Sequence, residues 1–159
     1  MNASDVLKYG HLTVLGTAEG LAADAWDKPG VCGVWSAKDV VAHLAWYQLV
    51  LNDVLAHQIE GSAMPHLDTF MSGPQANDAQ VDRRRTATPA QAIAELKANH
   101  ERTMALAARI APETLRRPGT LPWYGAEYAL DDLIVYQYYG HMREHSAEIA
   151  VLIDRLKRG

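Results

Sequence analysis

The residues best suited to chemistry are three histidines. His141 and His145 stand four apart in Gly140-His-Met-Arg-Glu-His145, and His43 lies in Trp35-Ser-Ala-Lys-Asp-Val-Val-Ala-His-Leu44. On a helix, residues i and i+4 share a face with their Cβ atoms about 5–6 Å apart, so both imidazoles of the pair can reach one ion. His43 shares a helical stripe with Val40, Tyr47, Val50 and Val54, which turns it toward a core. Two ligands from one helix and a third from another describe a divalent-metal site. Three protein nitrogens leave a coordination position open, which separates a catalytic or substrate-binding metal from a structural one. Each neutral imidazole also needs an acceptor for its other ring N–H. Glu144 and Glu148 flank the pair, and Tyr47, Gln137 and Tyr138 are polar groups expected nearby.

Competing readings of the same residues are weaker. His141-Met-Arg-Glu144-His145 matches the H-x-x-E-H string of the inverzincin peptidases. Those enzymes are far larger and need a distant downstream acidic ligand, whereas only 14 residues follow His145, with Glu148 and Asp154 as their carboxylates. No Gly-x-Ser-x-Gly elbow is present for a serine hydrolase. Cys32, in Gly30-Val-Cys-Gly33, reads as a small buried thiol without a basic neighbour. His11, His57, His66 and His100 read as hydrogen-bonded core residues, and Trp35 and Trp46 as packing residues.

Helices must position the three ligands. Ser4 precedes an apolar-periodic run that predicts a first helix over about 4–25, broken by the turn residues of 27–33. Ser36 with Asp39 three residues later forms a capping box and opens a second helix to about Glu60, with His43 two turns in. Residues 61–75 read as a loop, followed by a short helix near 76–85. Thr88-Pro89-Ala90-Gln91 caps a third helix running to about Ile110. After a Pro- and Gly-bearing connection, a fourth helix runs from Ala129 or Leu130 to about Lys157, with Asp131 and Asp132 at its start and Arg155, Lys157 and Arg158 at its end. Four amphipathic helices and no alternating strand predict an all-α four-helix bundle whose ligands project inward. The short first connection predicts that helices one and two are antiparallel neighbours, while the loop 61–87 is long enough to cross the bundle.

The 159 residues fit one domain, 1–159. A net charge of -4, with 15 basic against 19 acidic residues, supplies no broad cationic surface, so nucleic acid is not an expected partner. Arg83-Arg84-Arg85 has Asp78 and Asp82 beside it and reads as a solvated face or an internal ion-pair cluster. A single cysteine cannot form an intramolecular disulfide, and neither a signal peptide nor an 18-residue apolar run is present. The expected setting is the cytoplasm, away from membranes.

Trp35-Ser-Ala-Lys-Asp-Val-Val-Ala-His43-Leu44 resembles the tryptophan, capping residue, aspartate and "AHL" signature of the DinB/YfiT-like metalloenzymes, and His141-x-x-x-His145 resembles their second element. Order, helix spacing and chain length agree over nearly the whole sequence. The resemblance implies an up-down-down-up four-helix bundle, often dimeric, binding nickel, zinc, iron or manganese through three histidines, which carry over onto His43, His141 and His145. Characterised relatives include transferases and isomerases that use low-molecular-weight thiols such as bacillithiol or mycothiol. The related mycothiol-dependent maleylpyruvate isomerases begin with a similar segment, and some carry an additional carboxy-terminal domain for which this sequence has no counterpart.

The functional expectation is a metal-dependent enzyme acting on a small molecule. Its three-histidine site would activate a water or a low-molecular-weight thiol for hydrolysis or thiol S-transfer, with Glu144 or Glu148 as base or second acceptor. The alternative is a non-catalytic stress-response or binding module whose metal is structural or absent. Tyr136, Tyr138, Tyr139, Trp123 and Tyr124 would line a pocket, fill a core or form a homodimer interface.

Overall fold

The starts of three of the longer helices are set by short polar side chains, at Asn2, Ser36 and Thr88. The computed structural model describes residues 2–158. Asn2, not Ser4, caps the first helix: its side chain accepts from the Ser4 N–H at 3.0 Å, and α1 spans Ala3–Ala18. The helix stops short of residue 25 because Gly20 follows, a poor helix former pressed close to Ile153, where an added Cβ would come within 3.2 Å. Only a 3₁₀ turn over Ala23–Ala25 remains of the expected continuation.

The second helix, α2 (Ala37–Glu60), has the expected capping box. The Asp39 N–H donates to Ser36 Oγ at 3.2 Å and the Ser36 N–H to Asp39 Oδ2 at 2.9 Å. It ends at Gly61, whose φ of 68° is the left-handed geometry of a helix C-terminus. The segment read as a loop contains α3 (Pro65–Met71), followed by α4 (Ala76–Arg83). α3 has no cap of its own. Asp53 of α2 supplies one, accepting from the His66 and Leu67 N–H groups at 2.6 and 3.3 Å. That cap lies 13 residues upstream, so locally the helix is marked only by Pro65 at its first position.

α5 (Pro89–Ala107) starts on the Thr88–Gln91 box as expected, and a single turn, α6 (Pro112–Leu115), interrupts the next connection. Asp132 accepts from the Ala129 N–H at 2.8 Å to open α7 (Leu130–Ile134). The expected uninterrupted fourth helix is not observed. Val135–His141 form a π-helical segment, and the α-helix resumes as α8 (Met142–Arg158). The wider turn occurs where α1 presses closest: a Cβ on Gly10 would lie 2.5 Å from the Tyr138 carbonyl oxygen.

Side-chain contacts give the directions. His11 stacks on His100, and Leu15 and Ala18, further along α1, meet Ile93 and Lys97, so α1 and α5 are antiparallel. Asn99 donates to the Ala45 carbonyl at 3.0 Å and Thr103 to Asn52 Oδ1 at 2.8 Å, so α2 and α5 are parallel. Gly10 meets Tyr138 and Gly20 meets Ile153, so α1 and α8 are parallel. The bundle is therefore up-down-down-up, with α3 and α4 carrying the chain back along α2. α1 and α2 are antiparallel but are not neighbours. Each packs chiefly on α5 or the π–α8 run, and they face each other across the bundle diagonal. Ending α1 at Ala18 leaves residues 19–36 to span that diagonal.

Leu7, Val14, Leu44, Trp46, Leu51, Leu55, Leu96, Ile134, Tyr138 and Ile149 fill the core. Of the arginine run, Arg84 is held by Glu95 at 2.8 Å and Arg85 pairs with Asp82, the ion-pair cluster expected of it. Among the described residues no helix is long and apolar enough to cross a membrane.

Candidate metal centre

His43 lies in the second turn of α2, His141 closes the π-helical segment, and His145 follows one turn into α8. Their Nε2 atoms converge. His43 and His141 lie 3.1 Å apart and His145 and His141 3.0 Å apart. Two nitrogens on a tetrahedral ion at 2.0–2.1 Å would lie about 3.3 Å apart, so these separations are close to those of neighbouring ligands. His43 and His145 are buried, and His141 is partly exposed as a residue while its Nδ1 is buried.

The three rings suit a cation electrostatically. Burial, followed by the neighbouring imidazoles, depresses the pKa of His43 to about 2, and burial with His145 depresses that of His141 to about 3. Both are neutral near pH 7. His145 Nδ1 lies 2.6 Å from Glu148 Oε2. An ionised carboxylate only accepts, so Nδ1 carries the proton and Nε2 offers its lone pair to the centre. Glu148 is thus the acceptor expected for one ligand. His43 Nδ1 and His141 Nδ1 have no hydrogen-bond partner among the described residues.

The surrounding wall is aromatic. Tyr47 lies 4.7 Å from His43 and 4.4 Å from His141, ring centre to ring centre, and Trp35 lies 4.8 Å from His43. Tyr136 runs parallel to His141 at 6.1 Å. Trp35, read from sequence as a packing residue, is held at the site by a tight turn in which its N–H donates to the Cys32 carbonyl at 2.9 Å, with Gly33 at a φ of 57°. That turn also brings Cys32 to the centre. Its sulfur, with ligand atoms of His145 and Glu148, forms a group whose members lie within 4.8 Å of one another. Burial and the nearby Glu148 carboxylate raise its pKa, so it remains a thiol. The sequence marks the turn through Gly30 and Gly33, but nothing local tells where it docks.

The remaining polar candidates separate. Glu144 is exposed on α8. Tyr138 points to the other side of the bundle, its hydroxyl 3.3 Å from His100 Nδ1, and Gln137 is buried with its Oε1 unpartnered among the described residues. His11 and His100 stack with ring centres 3.9 Å apart, His57 meets the Ser62 carbonyl and His66 meets Asp53. His11 is buried, though its Nδ1 has no partner among the described residues, whereas His57 is exposed and His66 partly so rather than the core residues expected.

Comparison with known proteins follows this geometry. Residues 10–131 match the family model described as the mycothiol maleylpyruvate isomerase N-terminal domain. Among solved structures, the crystal structure of a histidine-to-alanine mutant of the mycothiol-dependent maleylpyruvate isomerase superposes with a TM-score of 0.74 at 10% sequence identity. That match covers 92% of this chain and 59% of the isomerase chain, so the chain spans about three fifths of that protein's length. At this identity the likeness is one of fold. Comparison with curated proteins found no match. The family segment holds His43 but ends before His141 and His145, so two of the three converging imidazoles lie outside it.

Proposed function

The chain belongs to the mycothiol maleylpyruvate isomerase N-terminal domain family, and from that premise we propose that His43, His141 and His145 hold one divalent metal ion at which a low-molecular-weight thiol or a water is activated. The convergence of three Nε2 atoms on one point carries this reading. A divalent ion there supplies Lewis acidity, lowering the pKa of a bound thiol or water toward neutrality. Three imidazole nitrogens suit zinc, nickel or iron better than manganese, and the family's name favours a thiol over water as the reacting group.

The chain's own residues have separable tasks. Glu148 accepts from His145 Nδ1, fixing the tautomer that leaves Nε2 free. With its carboxylate so engaged, Glu148 is a positioning residue rather than a general base. Glu144, exposed one residue before His145, is free to exchange protons with solvent. Trp35 and Tyr47 pack against His43 and limit water on that side. Thiol S-transfer on a small molecule is the reaction class this arrangement supports best, with hydrolysis as the same site's use of water.

Elemental analysis of untagged protein purified without chelator, beside the His141→Ala, His145→Ala double variant, tests the reading. About one metal per chain, lost in the variant, is the expected result and would be followed by thiol-transfer and hydrolysis assays. No metal in either, and no binding of added zinc, nickel or manganese, would reduce the three histidines to core residues of a helical bundle.

A further inference from the structure

Tyr136 precedes His141 by five residues. On an α-helix residues five apart point about 140° away from each other. Within Val135–His141 the i→i+5 ladder brings them to one side, and the two rings run parallel within 4° at 6.1 Å. The row continues outward: Tyr124 lies 6.4 Å from Tyr136, and Tyr128 lies 4.8 Å from Tyr124. These rings are not core residues. Tyr136, Tyr124 and Tyr128 remain 48%, 37% and 38% exposed, while Tyr138 of the same segment is fully buried. An exposed row of rings that begins beside the partly exposed His141 and leads into solvent has the form of a binding wall at the mouth of the site.

We infer that Tyr136, continued by Tyr124 and Tyr128, binds an uncharged aromatic ring on the ligand whose head group reaches His141. The charge at this mouth bears on the class. Asp132 acts on Tyr124, so its carboxylate disfavours an anionic tail at that ring. The flat rings select by face-to-face and edge contact, which an aliphatic group of equal area does not reproduce. This inference rests on the three-histidine reading for the head group, but the ring contacts stand independently of it.

The test compares benzyl mercaptan with cyclohexylmethanethiol, which match in reach and nearly in apolar area, binding to zinc-loaded protein by calorimetry. Benzyl mercaptan should bind tighter by on the order of fivefold. The preference should fall about fivefold in Tyr136→Ala, to what the greater acidity of the benzylic thiol alone gives, and persist in Tyr136→Phe, with zinc content and helicity unchanged in both. Tyr124→Ala, which should halve the preference roughly, serves if Tyr136→Ala does not fold. An equal affinity for the two thiols, or a preference untouched by loss of Tyr136, overturns the inference. So does a homodimer seen by sedimentation that dissociates in Tyr136→Ala. Wild-type protein that takes up no zinc would remove the metal reading alone. The ring preference is then read on metal-free protein with benzyl alcohol against cyclohexylmethanol by NMR, and no preference there overturns it.

Discussion

Glu148 distinguishes a ligand-positioning role from a catalytic one. Its carboxylate is 2.6 Å from His145 Nδ1 and contacts no other imidazole of the centre through a hydrogen bond. Replacing it with alanine leaves His145 free to rotate and to take the tautomer with its proton on Nε2, which cannot bind a cation. Loss of such an outer partner costs on the order of 10–100-fold in metal affinity. Glu148→Ala should therefore weaken zinc binding by about that factor in competition with a chelator, and Glu148→Gln, whose amide oxygen still accepts, should weaken it less. Unchanged zinc affinity with lost activity would instead assign Glu148 to proton transfer. Cys32 shows the limit of residue-level reading. Its neighbours in sequence are glycine and valine, and the carboxylates that act on its thiol, Glu148 and Glu144, arrive from the other end of the chain.

At the scale of elements, the caps were legible because they are local. Ser36 with Asp39 and Thr88 with Gln91 place their helices as the four-residue patterns require, and His43 then falls on the inner face of α2 by periodicity alone. α3 was not legible beyond Pro65, because its N–H groups are capped by Asp53 from another helix. The π-helical segment was not legible either, since its cause is contact with α1. Gly10 lets the two backbones approach so closely that an added Cβ would meet the Tyr138 carbonyl at 2.5 Å and its Cβ at 2.8 Å. Neither atom belongs to the far end of a flexible side chain, so one helix must move. Gly10→Ala should destabilise the fold by about 1–3 kcal/mol in urea titration. Because Tyr138 and His141 share one segment, the same change should also weaken metal binding. A neutral or stabilising effect, as expected for Gly→Ala in a free helix, would show that the close approach is not what sets the π register.

At the scale of the molecule, the bundle hides imidazoles that the unfolded chain would expose. The stacked His11 and His100 are both depressed to about pKa 4, chiefly by burial, with His100 and Lys97 adding to the effect on His11. In the unfolded chain each titrates near its ordinary value of about 6.5. Below that pH the unfolded state binds protons that the folded state refuses, so the unfolded form gains and stability falls as pH drops. The contribution is fully present above about 6.5 and is lost progressively toward about 4, where the folded histidines accept protons as well. His43 and His141, lower still, add in the same direction in metal-free protein. Between about pH 6.5 and 5 most carboxylates remain ionised, so this window isolates the histidines. The urea midpoint of metal-free protein should decline steadily across it with an unchanged m-value, and the slope should be smaller in the His11→Leu, His100→Leu double variant. A flat midpoint would mean that water reaches the stacked pair and protonates it within the folded bundle.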